Sequence, residues 1–159
     1  MKKLKNPYES LEGYNCFGCS GNNEHGLQMK FKFDGEEVVS EWEPRGYFQG
    51  YFNTLHGGIQ STLIDEIACW LVQMKCKTAG LTSNLNVRYL KSVSTLEGKI
   101  KLVARLKGMR RNLADVEVEL LDSKGVKCSE GKVTYFTFPE KVAKDKLHFP
   151  EYEDFFCDK

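Results

Sequence analysis

The stretch LHGGIQSTLIDEIACWLVQMKCKTAG, residues 55–80, decides the fold of this protein. Apolar residues recur in it at intervals of three or four, the spacing of an amphipathic helix. They are Ile59, Leu63, Ile67, Leu71 and Met74. Two glycines precede this pattern, and Thr78-Ala79-Gly80 follows it. The sequence therefore predicts one long helix over residues 59–77.

Strand patterns lie on both sides of this helix. In each of them, apolar and polar residues alternate or an apolar run is bounded by turn residues. They cover residues 29–33 and 38–42 before the helix, and 84–89, 100–106, 115–120 and 126–138 after it. A group of strands, one helix and a second group of strands is the order of an α+β protein, not of alternating βαβ units. We predict an antiparallel β-sheet wrapped around one long helix.

Composition limits the classes of protein that fit. The 159 residues suit one domain, and 41% hydrophobic with 28% charged residues is typical of a soluble globular protein. The 23 basic and 22 acidic residues give a formal charge of +1, which disfavours a nucleic-acid partner. The longest uncharged stretch, residues 46–64, is too polar for a membrane span, and no signal peptide is recognised. We predict a cytoplasmic domain over 1–138, followed by a C-terminal tail over 139–159.

The cysteines raise the question of a metal site. Six cysteines without an export signal are expected to stay reduced. Cys16-x-x-Cys19 with His25 offers three residues of metal-ligating type, but no second Cys or His pair follows at zinc-finger spacing. We therefore predict a packed loop and no metal. A cysteine nucleophile is not predicted either, because no cysteine lies in an electropositive stretch.

The start of the predicted helix is suited to binding an oxygen atom. A helix N-terminus has unpaired N–H groups and a partial positive charge, and Gly57 and Gly58 let a ligand approach the backbone closely. Such a place can stabilise the oxyanion that forms when an ester or thioester carbonyl is attacked. The alternative is that the two glycines only allow the helix to pack closely on the sheet.

Asp65 is the candidate catalytic residue of the helix. At about 100° per residue, it shares a face with small or apolar residues, namely Gly58, Ser61, Ala68, Cys69, Val72 and Cys76. A carboxylate on such a face is costly unless it is paired or used, so Asp65 is a candidate base or nucleophile. The alternative is a structural aspartate in a hydrogen-bond network. Glu66, in contrast, lines up with Gln73 and Lys77, and this stripe is expected to reach solvent.

Three segments resemble the hotdog-fold acyl-CoA thioesterases of the phenylacetate-pathway type. FQGYFNTLHGGIQSTLIDE (48–66) has His-Gly-Gly and a carboxylate nine residues after the histidine, and TSNLNVRYLKSV (82–93) is a Thr-led strand ending near a tyrosine. CFGCSGNNEHGLQMKF (16–31) resembles a lead-in found in part of that superfamily. The resemblance covers about residues 14–138. It implies the hotdog fold, in which an antiparallel sheet wraps around one long central helix.

The resemblance also implies an activity, the hydrolysis of an acyl-CoA to a free acid and CoA. Gly57 or Gly58 would donate its N–H to the thioester oxygen, and His56 would shape the helix entrance. Asp65 would act as general base or nucleophile, and Thr82 would position water or the carboxylate. No cofactor is implied, because coenzyme A is part of the substrate.

Two further sets of residues are predicted to contact substrate. The thioesterases often carry Asn or Gln where this chain has Gly50, and Gln49 and Asn53 are the nearest substitutes. Cations near strand ends and a turn would bind the phosphates of CoA, or would simply form a solvated hairpin. They are Arg88, Lys91, Arg110 and Arg111.

Helix geometry predicts a site shared by two chains. Gly57 and Asp65 are eight residues, or about 12 Å, apart along a helix, too far to contact one carbonyl group. The resemblance implies a homodimer, or a dimer of dimers (a homotetramer), with antiparallel helices side by side. Two other functions stay open: a hydratase or dehydratase of acyl thioesters that uses His56, and an acyl-CoA-binding protein without catalytic activity.

Overall fold

The computed structural model describes residues 1–157 as seven strands, two α-helices and three short 3-10 helices. The strands are β1 (Lys2–Lys3), β2 (Lys32–Phe33), β3 (Glu37–Trp42), β4 (Gly80–Tyr89), β5 (Ile100–Arg110), β6 (Leu113–Leu121) and β7 (Lys127–Thr137). The α-helices are α1 (Gly57–Cys76) and α2 (Glu140–Leu147). The 3-10 helices are Pro7–Ser10, Gly46–Phe48 and Tyr152–Phe155.

The strands form one antiparallel sheet in the order β1-β2-β3-β5-β6-β7-β4, which wraps around α1. Leu63, Ile67 and Leu71 of the helix are fully buried against the sheet. Gly131 of β7 allows a close approach, because a Cβ at this position would collide with the Ile64 side chain. The predicted α+β class and the hotdog fold, with its sheet around one long central helix, are confirmed.

The first hairpin is shorter than predicted. The sequence predicts a strand from residue 29, but β2 contains only two residues, paired with Val38 and Val39. The preceding backbone is bonded elsewhere: the N–H groups of Leu27 and Met29 donate to carbonyls of residues 17 and 18, at 2.7 and 3.0 Å. This segment therefore holds the 14–26 loop instead of extending the sheet.

The C-terminal segment packs against the core. Phe149 and Phe155 are buried, and the Phe155 ring meets Trp70 of α1 edge-on, with 5.7 Å between centroids. The sequence had left the packing of this tail open, and its last two residues lie outside the described residues. Within residues 1–157, no helix is both long enough and apolar enough to cross a membrane.

Candidate active site

The entrance of α1 leaves one N–H group available to a ligand. His56 is the N-cap, and its Nδ1 accepts the Gly58 N–H at 2.9 Å. No hydrogen bond from the Gly57 N–H is formed within residues 1–157. The Gly57 carbonyl accepts the Tyr89 hydroxyl at 2.6 Å, and the Tyr89 oxygen lies 2.6 Å from Ser61 Oγ. Of the two glycines predicted to donate, the geometry thus favours Gly57.

A cavity of about 650 Å³ opens at this entrance. Its lining includes three residues predicted from the sequence, His56, Gly57 and Lys91. It also includes Gln60, which was not predicted from the sequence. Gln60 is only 4% exposed, its Nε2 donates to the Leu55 carbonyl at 3.3 Å, and its buried Oε1 has no partner in the described part of the chain. A buried unpaired oxygen is costly, so a hydrogen-bond donor of a ligand would stabilise it.

Asp65 is held by two hydroxyl groups of the sheet. Thr82 Oγ1 donates to Asp65 Oδ1 at 2.8 Å, and the Tyr135 hydroxyl donates to the same oxygen at 2.7 Å. Thr82 and Tyr135 are register partners on β4 and β7, so their side chains project from the same face of the sheet. The other carboxylate oxygen, Oδ2, accepts no hydrogen bond from the residues described, and it is free to contact water or substrate.

Tyr135 was not predicted from the sequence. Its hydroxyl is also 2.9 Å from the Asp65 carbonyl oxygen. Burial, with the neighbouring Cys69 and Asp65 as smaller contributions, raises the pKa of the Tyr135 hydroxyl far above its ordinary value. The hydroxyl therefore stays protonated and acts as a donor, so it can orient the carboxylate but cannot itself serve as the base.

The catalytic role that the resemblance implies for Asp65 can be tested at Tyr135. We expect Tyr135→Phe to lower kcat about tenfold, the equivalent of about 1.4 kcal/mol, because Asp65 loses one of its two orienting bonds. Activity of Tyr135→Phe is to be compared with that of Tyr152→Phe, which removes a hydroxyl near the C-terminus. A Tyr135→Phe enzyme with unchanged kcat would show that Thr82 alone is sufficient to orient Asp65.

The prediction that Glu66 reaches solvent is wrong. Its carboxylate lies against the 14–26 loop, where a Cβ at Gly18 would collide with it and Cys16 Sγ is 3.6 Å from Oε1. Burial raises the pKa of Glu66 to about 7. Gln73, on the same stripe, is buried and accepts the Tyr8 hydroxyl at 2.6 Å. The reason is tertiary: the N-terminal segment covers this face of the helix, and helical periodicity does not contain that information.

The two predicted amide residues shape the loop before the helix. Gln49 Oε1 accepts the Asn53 N–H at 2.9 Å, and Asn53 has φ of +57°, a left-handed conformation that asparagine tolerates. Gly50 lies beside His56, at ordinary contact distance for an added Cβ. The Gln49 side chain and the Asn53 backbone thus shape the turn whose Gly50, Tyr51 and Thr54 line the cavity.

The four predicted cations are not brought together in one chain. Lys91 lines the cavity at the helix entrance, and Arg88 pairs with Glu130 at 3.7 Å. Arg110 and Arg111 lie at the β5–β6 turn, where Arg110 makes a two-pronged ion pair with Asp115 at 2.6 and 2.9 Å. Through the strand register, this turn lies at the Asp65 end of the sheet.

Comparisons with known proteins agree with the fold. Residues 52–129 match the model of the thioesterase superfamily. A Haemophilus influenzae thioesterase is 17% identical with a TM-score of 0.67, over 76% of this chain and 85% of that one. Thioesterase superfamily member 2 of zebrafish is 22% identical with a TM-score of 0.64, over 74% of this chain and 88% of its own.

A third solved structure contains a ligand. It is a hypothetical thioesterase of Streptococcus pneumoniae with coenzyme A, 22% identical with a TM-score of 0.61, over 66% of this chain and 83% of that one. No curated protein sequence matches the chain. At these identities, the solved structures establish a common fold.

Proposed function

Because residues 52–129 match the thioesterase superfamily and the chain has the hotdog fold of the thioesterases it resembles, we propose that this protein hydrolyses acyl-CoA thioesters. One observation carries the proposal: α1 presents two complementary groups. The Gly57 N–H at its start is available to a ligand, and the Asp65 carboxylate is held at Oδ1 while Oδ2 is open. The first group stabilises negative charge, and the second removes a proton or attacks carbon.

The reaction follows from these two groups. The thioester carbonyl oxygen accepts the Gly57 N–H, and Asp65 takes a proton from a water molecule that attacks the carbonyl carbon. The tetrahedral intermediate places its negative charge at the helix N-terminus. Its collapse breaks the carbon–sulfur bond, and the CoA thiolate takes up the proton from Asp65. Direct attack by Asp65, followed by hydrolysis of the resulting anhydride, gives the same products.

We propose that two chains form each site. Strand β4 is an edge of the sheet, ten residues long, and three of its apolar side chains are exposed: Leu81 at 55%, Leu85 at 38% and Tyr89 at 48%. A long apolar edge strand is a template for pairing with another chain. Antiparallel pairing of β4 with a second copy would continue the sheet and place the two helices side by side. Gly57 of one chain would then face Asp65 of the other.

The test is a panel of short, medium, long and aromatic acyl-CoAs, assayed for release of free thiol. We expect steady release of CoA from at least one member. A change in enoyl absorbance without thiol release would instead indicate a hydratase, and tight binding with neither signal would indicate a binding protein. The His56 geometry favours hydrolysis, because its Nδ1 is occupied by the Gly58 N–H and is not available as a base.

The proposed contact with CoA phosphates gives a prediction of its own. Arg110→Ala combined with Arg111→Ala should raise KM about tenfold, the equivalent of about 1.4 kcal/mol, and should leave kcat unchanged. This pattern is expected when binding is lost equally in the ground state and the transition state. The matched control is Arg105→Ala with Lys107→Ala, which removes two charges from the same strand. A fall in kcat at unchanged KM would contradict the assignment.

A further inference from the structure

A second cluster of reactive side chains forms where the 14–26 loop contacts α1 at Glu66, the residue that follows Asp65. The cluster consists of the Sγ atoms of Cys16 and Cys19 and a carboxylate oxygen of Glu66. These three atoms lie within 4.8 Å of one another. The two cysteines come from the 14–26 loop, and Glu66 comes from the middle of the helix. His25, which the sequence analysis grouped with the cysteines, is exposed and is not a member of this cluster.

The loop is built to present the two sulfur atoms. Backbone bonds from Leu27 and Met29 fix the carbonyls of residues 17 and 18, which lie between the cysteines. Cys19 is buried, and its Sγ accepts Asn6 Nδ2 at 3.5 Å and lies 3.2 Å from the Tyr14 hydroxyl oxygen. The Asn6 amide and the Tyr14 hydroxyl thus hold the Cys19 sulfur in position, as polar groups around a ligand atom do in metal sites.

No cation is paired with this cluster in the described part of the chain. Two thiols and one carboxyl group converge there, and no lysine or arginine forms an ion pair with Glu66 anywhere in residues 1–157. Gly18 leaves just enough room for the carboxylate, since a Cβ there would collide with it. A partly buried group of acidic donors is costly without a compensating positive charge.

We propose that Cys16, Cys19 and Glu66 bind a zinc ion. Thiolate and carboxylate are ordinary zinc ligands, and a tetrahedral site with Zn–S bonds of about 2.3 Å places ligand atoms about 3.8 Å apart. The distance of 3.6 Å from Cys16 Sγ to Glu66 Oε1 already fits this spacing. The three ligand atoms now lie at most 4.8 Å apart, so each pair would have to approach by about 1 Å or less to reach the spacing of a zinc site.

The fourth position of the ion would be open. A cavity of about 300 Å³ borders the cluster, and its lining includes all three proposed ligands together with Cys69, one helical turn after Glu66. A water molecule in this cavity would complete the tetrahedron. Binding would release the two thiol protons to solvent, and it would cross-link the 14–26 loop to α1 beside the proposed catalytic aspartate.

The test is metal binding by the full-length, reduced protein, without reference to activity. We expect about one zinc ion per chain after removal of excess metal. We also expect cobalt to produce a thiolate-to-metal charge-transfer band in the near ultraviolet. Cys16→Ser should remove most of that band, whereas Cys157→Ser, a matched change at an exposed cysteine, should leave it intact. Glu66→Gln, which keeps the side-chain shape, should retain the band but weaken zinc binding about tenfold or more.

Two results would overturn the proposal. One is that the reduced wild-type protein takes up neither zinc nor cobalt. If a Cys16–Cys19 disulfide is found in the purified protein, it is reduced before this measurement. The other is a cobalt band that persists undiminished in Cys16→Ser. Circular dichroism of each variant confirms that a lost band reflects lost ligation, and Glu66→Gln provides a second measurement where the serine variant does not fold.

Discussion

Replacing Asp65 by asparagine is expected to lower the turnover of acyl-CoA about 100-fold or more while the fold is retained. The amide oxygen still accepts the hydroxyls of Thr82 and Tyr135, which now meet at Oδ1. The side chain therefore keeps its position. It no longer takes a proton from water and no longer attacks carbon, so both versions of the proposed mechanism fail together.

The measurement is kcat by thiol release, with the melting temperature as a check on folding. The matched control is Glu117→Gln, which removes a carboxylate from β6 at its ion pair with Lys107 and should leave turnover unchanged. If Asp65→Asn turns over at nearly the wild-type rate, Asp65 is not the base or the nucleophile. Glu66, the next carboxylate of the helix, would then become the candidate.

Mixing two inactive variants should restore about a quarter of wild-type activity, as closed two-fold symmetry requires. One variant is Asp65→Asn, and the other is Gly57→Pro, which removes the proposed oxyanion donor. In a mixed dimer, one site carries both defects and the other carries neither. Random exchange makes half of the dimers mixed, and half of their sites are intact.

The structure makes Gly57→Pro a clean change. Gly57 is the first residue of α1, a position at which proline is well accepted because the N–H has no partner within the helix. His56 has φ of −60° and ψ of +134°, the extended conformation that a residue before proline prefers. An added Cβ would meet the Tyr89 ring at 3.4 Å, an ordinary contact.

The mixing experiment needs proof of folding and of exchange. Native mass spectrometry of the mixture detects mixed dimers, and circular dichroism shows that both variants are folded. Each variant alone provides the baseline. A folded mixture that exchanges subunits and stays inactive would contradict a site shared between chains. Recovery above a quarter, up to a half, would show that mixed dimers form in preference to random pairing, and native mass spectrometry measures that fraction.

Local periodicity predicted those features that depend on one element. The spacing from Ile59 to Met74 identified α1 within two residues at its start. The contact between Asp65 and Thr82 joins two elements, and it was implied by the resemblance to thioesterases and not by periodicity. Tyr135 was missed because its approach to Asp65 depends on the register of β7 against β4, which pairs it with Thr82. The signal available in the sequence is the alternation along β7, which places Tyr135 in the same inward-facing row as Gly131 and Val133.

Other features required knowledge of the chain as a whole. Glu66 was predicted to face solvent because the helix pattern alone does not reveal that residues 14–26 cover that side. Gln60 was missed for a related reason: its burial follows from the loop that precedes the helix. A polar residue at a helical position otherwise suited to the core is the only warning that the sequence provides.

The Tyr89 hydroxyl has a thermodynamic consequence. It connects the Gly57 carbonyl and Ser61 of the helix entrance to β4, the strand proposed to meet the partner chain. Whatever orders this edge strand also orders Gly57, the residue whose N–H would bind the oxyanion. Subunit association and ligand binding are then linked equilibria, and linkage is reciprocal. If dimerisation increases the affinity for a ligand by some factor, binding of that ligand must increase the affinity between the two subunits by the same factor.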